Sequence, residues 1–177
     1  MACKIDLRNV VIDEANSQGV PPEIALAVAA KESNICHWAP SGAVLRGKAG
    51  EYGIFQLMPS TAQALGVDPE DVYDNIHGGV KYLRQLYDRF HDWPLAVQHY
   101  NGSGPMARAY SVAVMAIAQG YGFALQAARK TTAAGGSTPS LASLLPSGGL
   151  TGTLSVKNIA IAFSILGAGY IAYKIAS

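Results

Sequence analysis

The pattern of apolar and polar residues predicts a chain built mainly of α-helices. Residues 5–18 carry apolar side chains at helical spacing, and a second helix is expected to begin at Pro21 and Pro22. Within that second helix, residues 24–30 are apolar on every face, which indicates a helix buried on all sides that closes at Ser33. No part of the sequence predicts a convincing strand.

The remaining helices are marked by start and stop signals. Residues 34–52 are interrupted by glycine and proline and are predicted to form a long loop. A capping-box pattern over residues 60–63 predicts a helix start, with Gly66 as the stop. Further helices are expected over residues 76–93, 94–100 and 106–129, the last interrupted around residues 120–122.

The C-terminal part of the chain has a different composition. Residues 131–153 are rich in Gly, Ser, Thr, Ala and Pro, as in a flexible linker. Residues 159–173 carry no charge and would form a helix about 22 Å long. We therefore expect a globular domain over residues 1–130, a linker over 131–153 and a membrane-anchoring helix over 154–177. The alternative is a core helix that docks on the main domain.

Charge and cysteine content narrow the classes of function. The net charge is +1 and only 14% of residues are charged, so the chain lacks the basic stripe of a nucleic-acid-binding protein. Cys3 and Cys36 match no metal motif; they either pair in an oxidising compartment or remain two buried thiols. The first residues run directly into charged, helix-like sequence without a secretory signal peptide. A substrate outside the cytoplasm would require another route of export.

Glu32 is the strongest candidate for chemistry. It lies near the end of the apolar second helix, where burial and the negative helix C-terminus both oppose ionisation of a carboxyl group. A carboxylic acid that stays protonated near neutral pH is the proton donor that a glycosidic oxygen needs. Taken alone, however, a glutamate at this position is more often a solvated surface residue.

Four ordered motifs resemble the soluble lytic transglycosylase family. They are Lys31-Glu32-Ser33; Gly53-Ile54-Phe55-Gln56-Leu57-Met58-Pro59; Asn75-Ile76 with Gly79 and Tyr82-Leu83; and Tyr100-Asn101-Gly102. The resemblance covers roughly residues 5–125 and is far more specific than any one motif. It implies a lysozyme-like, mainly α-helical fold with residues 1–130 as the catalytic domain. It also implies cleavage of the β-1,4 bond between N-acetylmuramic acid and N-acetylglucosamine in peptidoglycan.

The resemblance also implies the roles of single residues. Glu32 would be the catalytic acid and base, and Ser33 would orient the sugar or the glutamate, or else only end the helix. The substrate cleft would be lined by Gln56, Met58, Tyr100 and Asn101. The family chemistry uses no metal and no cofactor. The residues after Ser33 depart from the family pattern, which leaves the rim of the cleft open.

Three functions follow from this resemblance. In the first, Glu32 acts alone, the muramic acid 6-hydroxyl attacks C1, and the product is a 1,6-anhydro sugar. In the second, Glu51 supplies the second carboxylate of a hydrolytic lysozyme; its alternative role is a loop charge. In the third, the chain is a catalytically silent protein that binds peptidoglycan or forms a membrane conduit.

The expected cellular context is a bacteriophage particle. Without a signal peptide, the chain resembles virion-associated wall-opening enzymes, some of which carry a membrane segment and enter with the particle. A bacterial envelope or secretion-system enzyme is the next option. The expected partners are peptidoglycan, a membrane reached through residues 154–177, and other virion or envelope proteins, with the catalytic domain facing the bacterial periplasm.

Overall fold

A computed structural model describes residues 5–133, which form six α-helices. They are α1 (Arg8–Ser17), α2 (Pro22–Ser33), α3 (Pro59–Leu65), α4 (Val72–Phe90), α5 (Trp93–Asn101) and α6 (Gly104–Ala133). The expectation of a mainly α fold is confirmed, and residues 5–133 contain no strand beyond isolated β-bridges. The predicted membrane helix over 154–177 and the linker beyond Ala133 lie outside the described residues.

Helix α2 lies at the centre of this helical domain. It packs against α1 on one side and α6 on another, while α4 packs against α1, α3 and α5. Every side chain from Ile24 to Ala29 is buried, as its apolar sequence on all faces predicted. Full burial of a side chain such as Leu26 or Val28 stabilises the fold by about 1.5–3 kcal/mol. The last turn of α2, which carries Glu32, is therefore attached to a rigid core element.

Two predicted helix starts are wrong, and both errors come from capping. Helix α3 begins at Pro59, directly after Met58, and no side chain caps it. Ser60 therefore lies inside the first turn, because the fixed φ of proline favours the first helical position. Helix α4 begins at Val72 rather than at residue 76. The Asp71 carboxylate caps this start, because it accepts hydrogen bonds from the backbone N–H groups of Tyr73 and Asp74.

The predicted interruption of the last helix is also wrong. Helix α6 runs unbroken through Gly120 and Gly122 to Ala133. A glycine within a helix costs about 1 kcal/mol relative to alanine. The neighbouring side chains Ala118, Tyr121 and Ala124 are buried, and their packing outweighs that cost.

Within the described residues, α6 also has the length and composition of a possible membrane span, over Gly104–Lys130. Length and apolar character alone do not distinguish such a span from a core helix. Ala107, Val114 and Ala118 are buried, and α6 packs on both α2 and α5. Helix α6 thus packs as part of the helical domain.

Candidate active site

The chain reverses direction immediately after Glu32 and Ser33. Asn34 and Ile35 both adopt left-handed backbone conformations, with φ of 57° and 60°. Their N–H groups donate to the carbonyls of Ala30 and Ala29, at 3.0 and 3.1 Å, and so satisfy acceptors that the helix end leaves open. A positive φ is unusual for β-branched Ile35, and burial of its side chain holds it there. Cys36, which follows, is disulfide-bonded, so of the two alternatives left open by the sequence the paired cysteine holds at this position.

The Ser33 hydroxyl joins the end of α2 to the loop that carries the second motif. Its single proton lies between two acceptors, the backbone oxygen of Ile54 at 2.7 Å and that of Ala29 at 3.1 Å. It also accepts from Cys36 N at 3.1 Å. These bonds give Ser33 a role at the helix terminus, where it fixes Ile54 beside Glu32. Direct contact between Ser33 and a sugar stays a prediction.

Asn75 of α4 holds the same loop from beneath. Its side chain is fully buried; Oδ1 accepts from Phe55 N at 2.9 Å. Its Nδ2 donates to the carbonyls of Tyr52 at 2.9 Å and Pro69 at 2.8 Å. All these polar groups are satisfied, which makes burial of the amide favourable. The asparagine of the third motif thus positions the backbone of the second.

His37 is a second buried support that the sequence reasoning missed. Its Nδ1 accepts from Ile54 N at 3.3 Å and its Nε2 donates to the Glu70 carbonyl at 2.9 Å. These two partners define the neutral tautomer with the proton on Nε2. Burial lowers the pKa of His37, which agrees with a neutral ring. The sequence contained no signal for this role, because His37 follows the first motif without a recognisable spacing.

Two glycines of the motifs are required by close packing. A Cβ on Gly53, whose φ is +70°, would lie 2.5 Å from the His37 ring and 2.7 Å from the Asn75 amide. A Cβ on Gly79 would lie 2.2 Å from the ring of Phe55. Both distances are well below ordinary carbon contacts of about 3.5–4.0 Å. The loop therefore sits directly on α4.

Three of the predicted cleft residues come together. Gln56, Met58 and Tyr100 line a small cleft of about 70 Å³, together with Leu57, Thr61 and Tyr82. The Tyr100 hydroxyl donates to the Phe55 carbonyl at 2.8 Å, and Gln56 Nε2 donates to the Gly53 carbonyl at 2.7 Å. Asn101 is exposed at the last residue of α5 and does not line this cleft. Its contact with substrate stays a prediction.

Tyr110 of α6 is the direct partner of Glu32, and the sequence reasoning did not find it. Its hydroxyl donates to Glu32 Oε1. Burial and the nearby glutamate raise the pKa of Tyr110, so it remains a hydrogen-bond donor. The only signal in the sequence was a tyrosine among the apolar residues of a predicted helix. Nothing in that pattern indicates a partner 78 residues earlier in the chain.

The surroundings of Glu32 favour its protonated form. Burial is the largest effect and raises the pKa of Glu32; the Tyr110 hydrogen bond opposes it. The negative charge of Glu51 raises the pKa further, whereas Lys31 lowers it. Burial raises the pKa of Tyr100 as well, and the charge of Glu32 adds to this effect, which places Tyr100 near the carboxyl group. The site thus combines a half-buried carboxyl group whose pKa is raised with two tyrosines, one of which lines the nearby cleft.

The geometry is that of a helical domain with a half-buried glutamate at the end of its central helix. The chain belongs to the transglycosylase SLT domain family, whose family model matches residues 9–119. This confirms the resemblance inferred from the four motifs.

The chain is also similar to a phage protein and to a solved lytic transglycosylase structure. The chain is 44% identical over 54 residues to a protein of Enterobacteria phage PRD1 described as a transglycosylase. That match covers 30% of this chain and 20% of the phage protein. The fold is similar to an X-ray structure of an inactive mutant of the lytic transglycosylase Slt from Pseudomonas aeruginosa, with a TM-score of 0.58 and 24% identity. That similarity covers 68% of this chain and 24% of the other. The chain thus spans a quarter or less of either protein.

Proposed function

We propose that this chain is a lytic transglycosylase that cleaves the glycan strands of peptidoglycan, with Glu32 as acid and base. The observation that carries this proposal is the environment of Glu32. Its carboxyl group is half-buried, bound by the Tyr110 hydroxyl and raised in pKa. A carboxyl group with a raised pKa can donate a proton at neutral pH and later accept one, and both steps are needed for this reaction.

The proposed reaction cleaves the β-1,4 bond between N-acetylmuramic acid and N-acetylglucosamine. Glu32 gives its proton to the bridging oxygen as the bond from that oxygen to C1 breaks. The resulting carboxylate then takes the proton of the muramic acid 6-hydroxyl, whose oxygen bonds to C1. The product is a 1,6-anhydro sugar, no water is consumed, and Glu32 is protonated again.

Tyr110 supports both halves of this cycle. Its hydroxyl group holds the carboxyl group in one orientation and can donate to it in either protonation state. A hydrogen bond to the ionised form is the stronger one, so Tyr110 stabilises the carboxylate between the two proton transfers. Gln56, Met58 and Tyr100 line the cleft that would receive the sugar, with Ser33 and Asn101 proposed at its margins.

Mass spectrometry of digested peptidoglycan tests the proposal. The wild-type chain is expected to release muropeptides that are lighter by one water than hydrolysis products, and Glu32→Gln is expected to release none. The matched control is Glu23→Gln, the same chemical change in the first turn of the same helix. Products with reducing ends would instead identify a lysozyme, and intact sacculi with tight binding would identify a silent binding protein.

We also propose that this activity opens the cell wall locally during phage entry, with residues 154–177 as a membrane anchor. The likeness to a transglycosylase of phage PRD1 supports the phage context. The virion-associated location facing the periplasm and contacts with other virion or envelope proteins belong to the same proposal. A chain that ends after Ala133 is expected to stay soluble and active, whereas the full chain is expected to partition with membranes. Equal partitioning of both forms would contradict the anchor.

A further inference from the structure

The backbone just before Gln56 rests on a buried group that can change its charge. Tyrosine aside, the buried polar side chains among the described residues are those of His37, Asn75 and Ser111. An amide and a hydroxyl group keep their protonation state near neutral pH, whereas an imidazole ring changes charge there. His37 is therefore the point at which mild acid can act on the loop of residues 53–58, which we call the cleft loop.

Ile54 joins the His37 ring to the end of α2. Its N–H group donates to His37 Nδ1 at 3.3 Å, and its carbonyl accepts from the Ser33 hydroxyl at 2.7 Å. The Ile54 side chain is itself fully buried. A change at the His37 ring is thus transmitted through one residue to Ser33, the neighbour of Glu32.

The His37 ring has little room to move. A Cβ on Gly53 would lie 2.5 Å from the ring, which shows how closely the backbone packs against it. Its Nε2 donates to the Glu70 carbonyl at 2.9 Å, and the Trp38 ring packs edge-on with a centroid distance of 4.9 Å. Because the ring is confined, a change in its hydrogen bonding acts on the cleft loop.

Protonation of His37 is incompatible with the bond to Ile54. Both nitrogens of a charged imidazole ring are donors, so Nδ1–H would face the Ile54 N–H group at 3.3 Å without an acceptor between them. The Ser33 hydroxyl has a second acceptor in the Ala29 carbonyl at 3.1 Å. The bond from Ser33 to Ile54 can therefore open without leaving that hydroxyl group unpaired, and the cleft loop can withdraw from α2.

The charged groups that face His37 oppose its burial. Asp71, at the start of α4, favours the charged ring, as does the Glu70 carbonyl. The Glu70 carboxylate is paired with Arg46 at 3.2 Å. Burial is the largest effect and lowers the pKa of His37 from its ordinary value of 6.5. The ring is therefore neutral near neutral pH and becomes charged as the pH falls through the lowered value.

We propose that His37 is a positioning residue of the enzyme: its neutral ring holds the cleft loop against α2, and protonation of the ring releases the loop and stops turnover in acid. This inference rests on the proposed function. Glu32 cannot cause such a loss, because its first step requires the protonated carboxyl group. The kcat–pH profile then has an alkaline limb from Glu32 and an acid limb from His37.

The kinetic test compares His37→Asn with His37→Phe in the full chain, acting on soluble uncrosslinked peptidoglycan strands. His37→Phe keeps a ring but offers no acceptor to Ile54, and it is expected to lower kcat at every pH by up to about 100-fold. His37→Asn offers an amide oxygen and does not titrate. It is expected to restore most of that loss and to move the acid limb to lower pH.

His91→Asn is the matched control for these variants. His91 is exposed at the end of α4, and its φ of 51° is one that asparagine tolerates. This variant is expected to keep both the kcat and the acid limb of the wild type. Near-UV circular dichroism at each pH shows whether the chain stays folded over the range of the acid limb.

An NMR titration of the wild type reads the same link without turnover. The His37 ring nitrogens and the Ile54 amide resonance are expected to change together, with one apparent pKa below 6.5. In His37→Asn the change at Ile54 should disappear. This measurement does not depend on the folding of His37→Phe.

The outcomes separate the possible failures. A wild-type chain that leaves peptidoglycan intact contradicts the proposed function, while the titration still decides whether His37 controls Ile54. An acid limb that stays in place in His37→Asn overturns the role of His37 alone. An Ile54 resonance that does not follow the His37 ring overturns it too. Unfolding of the wild type over the pH range of the acid limb would also overturn it, since the loss of turnover would then be global.

Discussion

The contact between Gly79 and Phe55 allows a sharp prediction about the link between the fold and the site. In Gly79→Ala the new methyl carbon would lie 2.2 Å from the Phe55 ring, which is about 1.5 Å too close. Phe55 is fully buried and cannot rotate away into solvent. Overpacking of this kind costs about 1–3 kcal/mol, and the better helix propensity of alanine returns only about 0.5–1 kcal/mol. We expect a net loss of about 1–2 kcal/mol.

The larger effect of Gly79→Ala is expected on activity. The Phe55 carbonyl accepts the Tyr100 hydroxyl, and the next residue is Gln56 of the cleft. A displacement of about 1 Å at a reacting centre can reduce the rate about 100-fold. Thermal unfolding and kcat on peptidoglycan strands are the two assays, measured on the same preparation.

Gly120→Ala is the matched control for this variant. Gly120 is also a helical glycine, but no atom lies within 4 Å of the position of its Cβ. That variant is expected to gain about 0.5–1 kcal/mol with unchanged kcat. If Gly79→Ala behaves like Gly120→Ala in both assays, then Phe55 does not couple α4 to the cleft and the argument fails.

Three further predictions follow from the site. Tyr110→Phe is expected to lower kcat roughly 10- to 150-fold, since a hydrogen bond to a charged group contributes about 1.5–3 kcal/mol. It should also move the alkaline limb of the profile to higher pH, because this bond lowers the pKa of Glu32; an unmoved limb would contradict that role. Glu32→Gln is expected to raise the Tm at pH 8. A carboxyl group with a raised pKa contributes its full stabilisation below its unfolded pKa and loses that contribution as the pH rises through its folded pKa. In calorimetry, the difference in Tm between Glu32→Gln and the wild type should vanish below about pH 4.5, the ordinary pKa of a glutamate. A gain in Tm that persists there would refute the explanation. Asn75→Leu leaves the Phe55 N–H group and the carbonyls of Tyr52 and Pro69 without their partner. It is expected to lower the free energy of unfolding in urea by about 3 kcal/mol or more. A loss below about 1 kcal/mol would show that these groups find other partners.

The parts of the fold that could be predicted are those that local sequence patterns determine. The apolar run in α2 predicts that the helix is buried on all faces. It also predicts that Glu32 lies in a protected position at the end of that helix. The motif around Gln56 and Tyr100 likewise indicated residues that the fold brings to one cleft. In each case the signal depends on neighbours within one or two helical turns, or on the order of the motifs.

The parts that could not be predicted depend on pairs that are distant in the chain. His37 contacts Glu70, and Tyr110 contacts Glu32, across 33 and 78 positions. A lone histidine or tyrosine has no periodicity that marks its partner. The starts of α3 at Pro59 and α4 at Val72 were predicted wrongly for a different reason. Adjacent residues compete for the capping position, and backbone geometry decides which of them takes it.

The same long-range pairs explain how one carboxyl group acquires its properties. Burial by α2 and its neighbours makes ionisation of Glu32 unfavourable, but burial alone would leave the carboxylate without support after it gives up its proton. Tyr110, supplied by α6, offsets part of that cost without adding a charge. The pKa of Glu32 is thus a balance between a helix core that raises it and a single hydroxyl group that lowers it. Because the two contributions come from different helices, they can be changed separately. Removal of one should shift the pH profile of the proposed activity in the opposite direction to removal of the other.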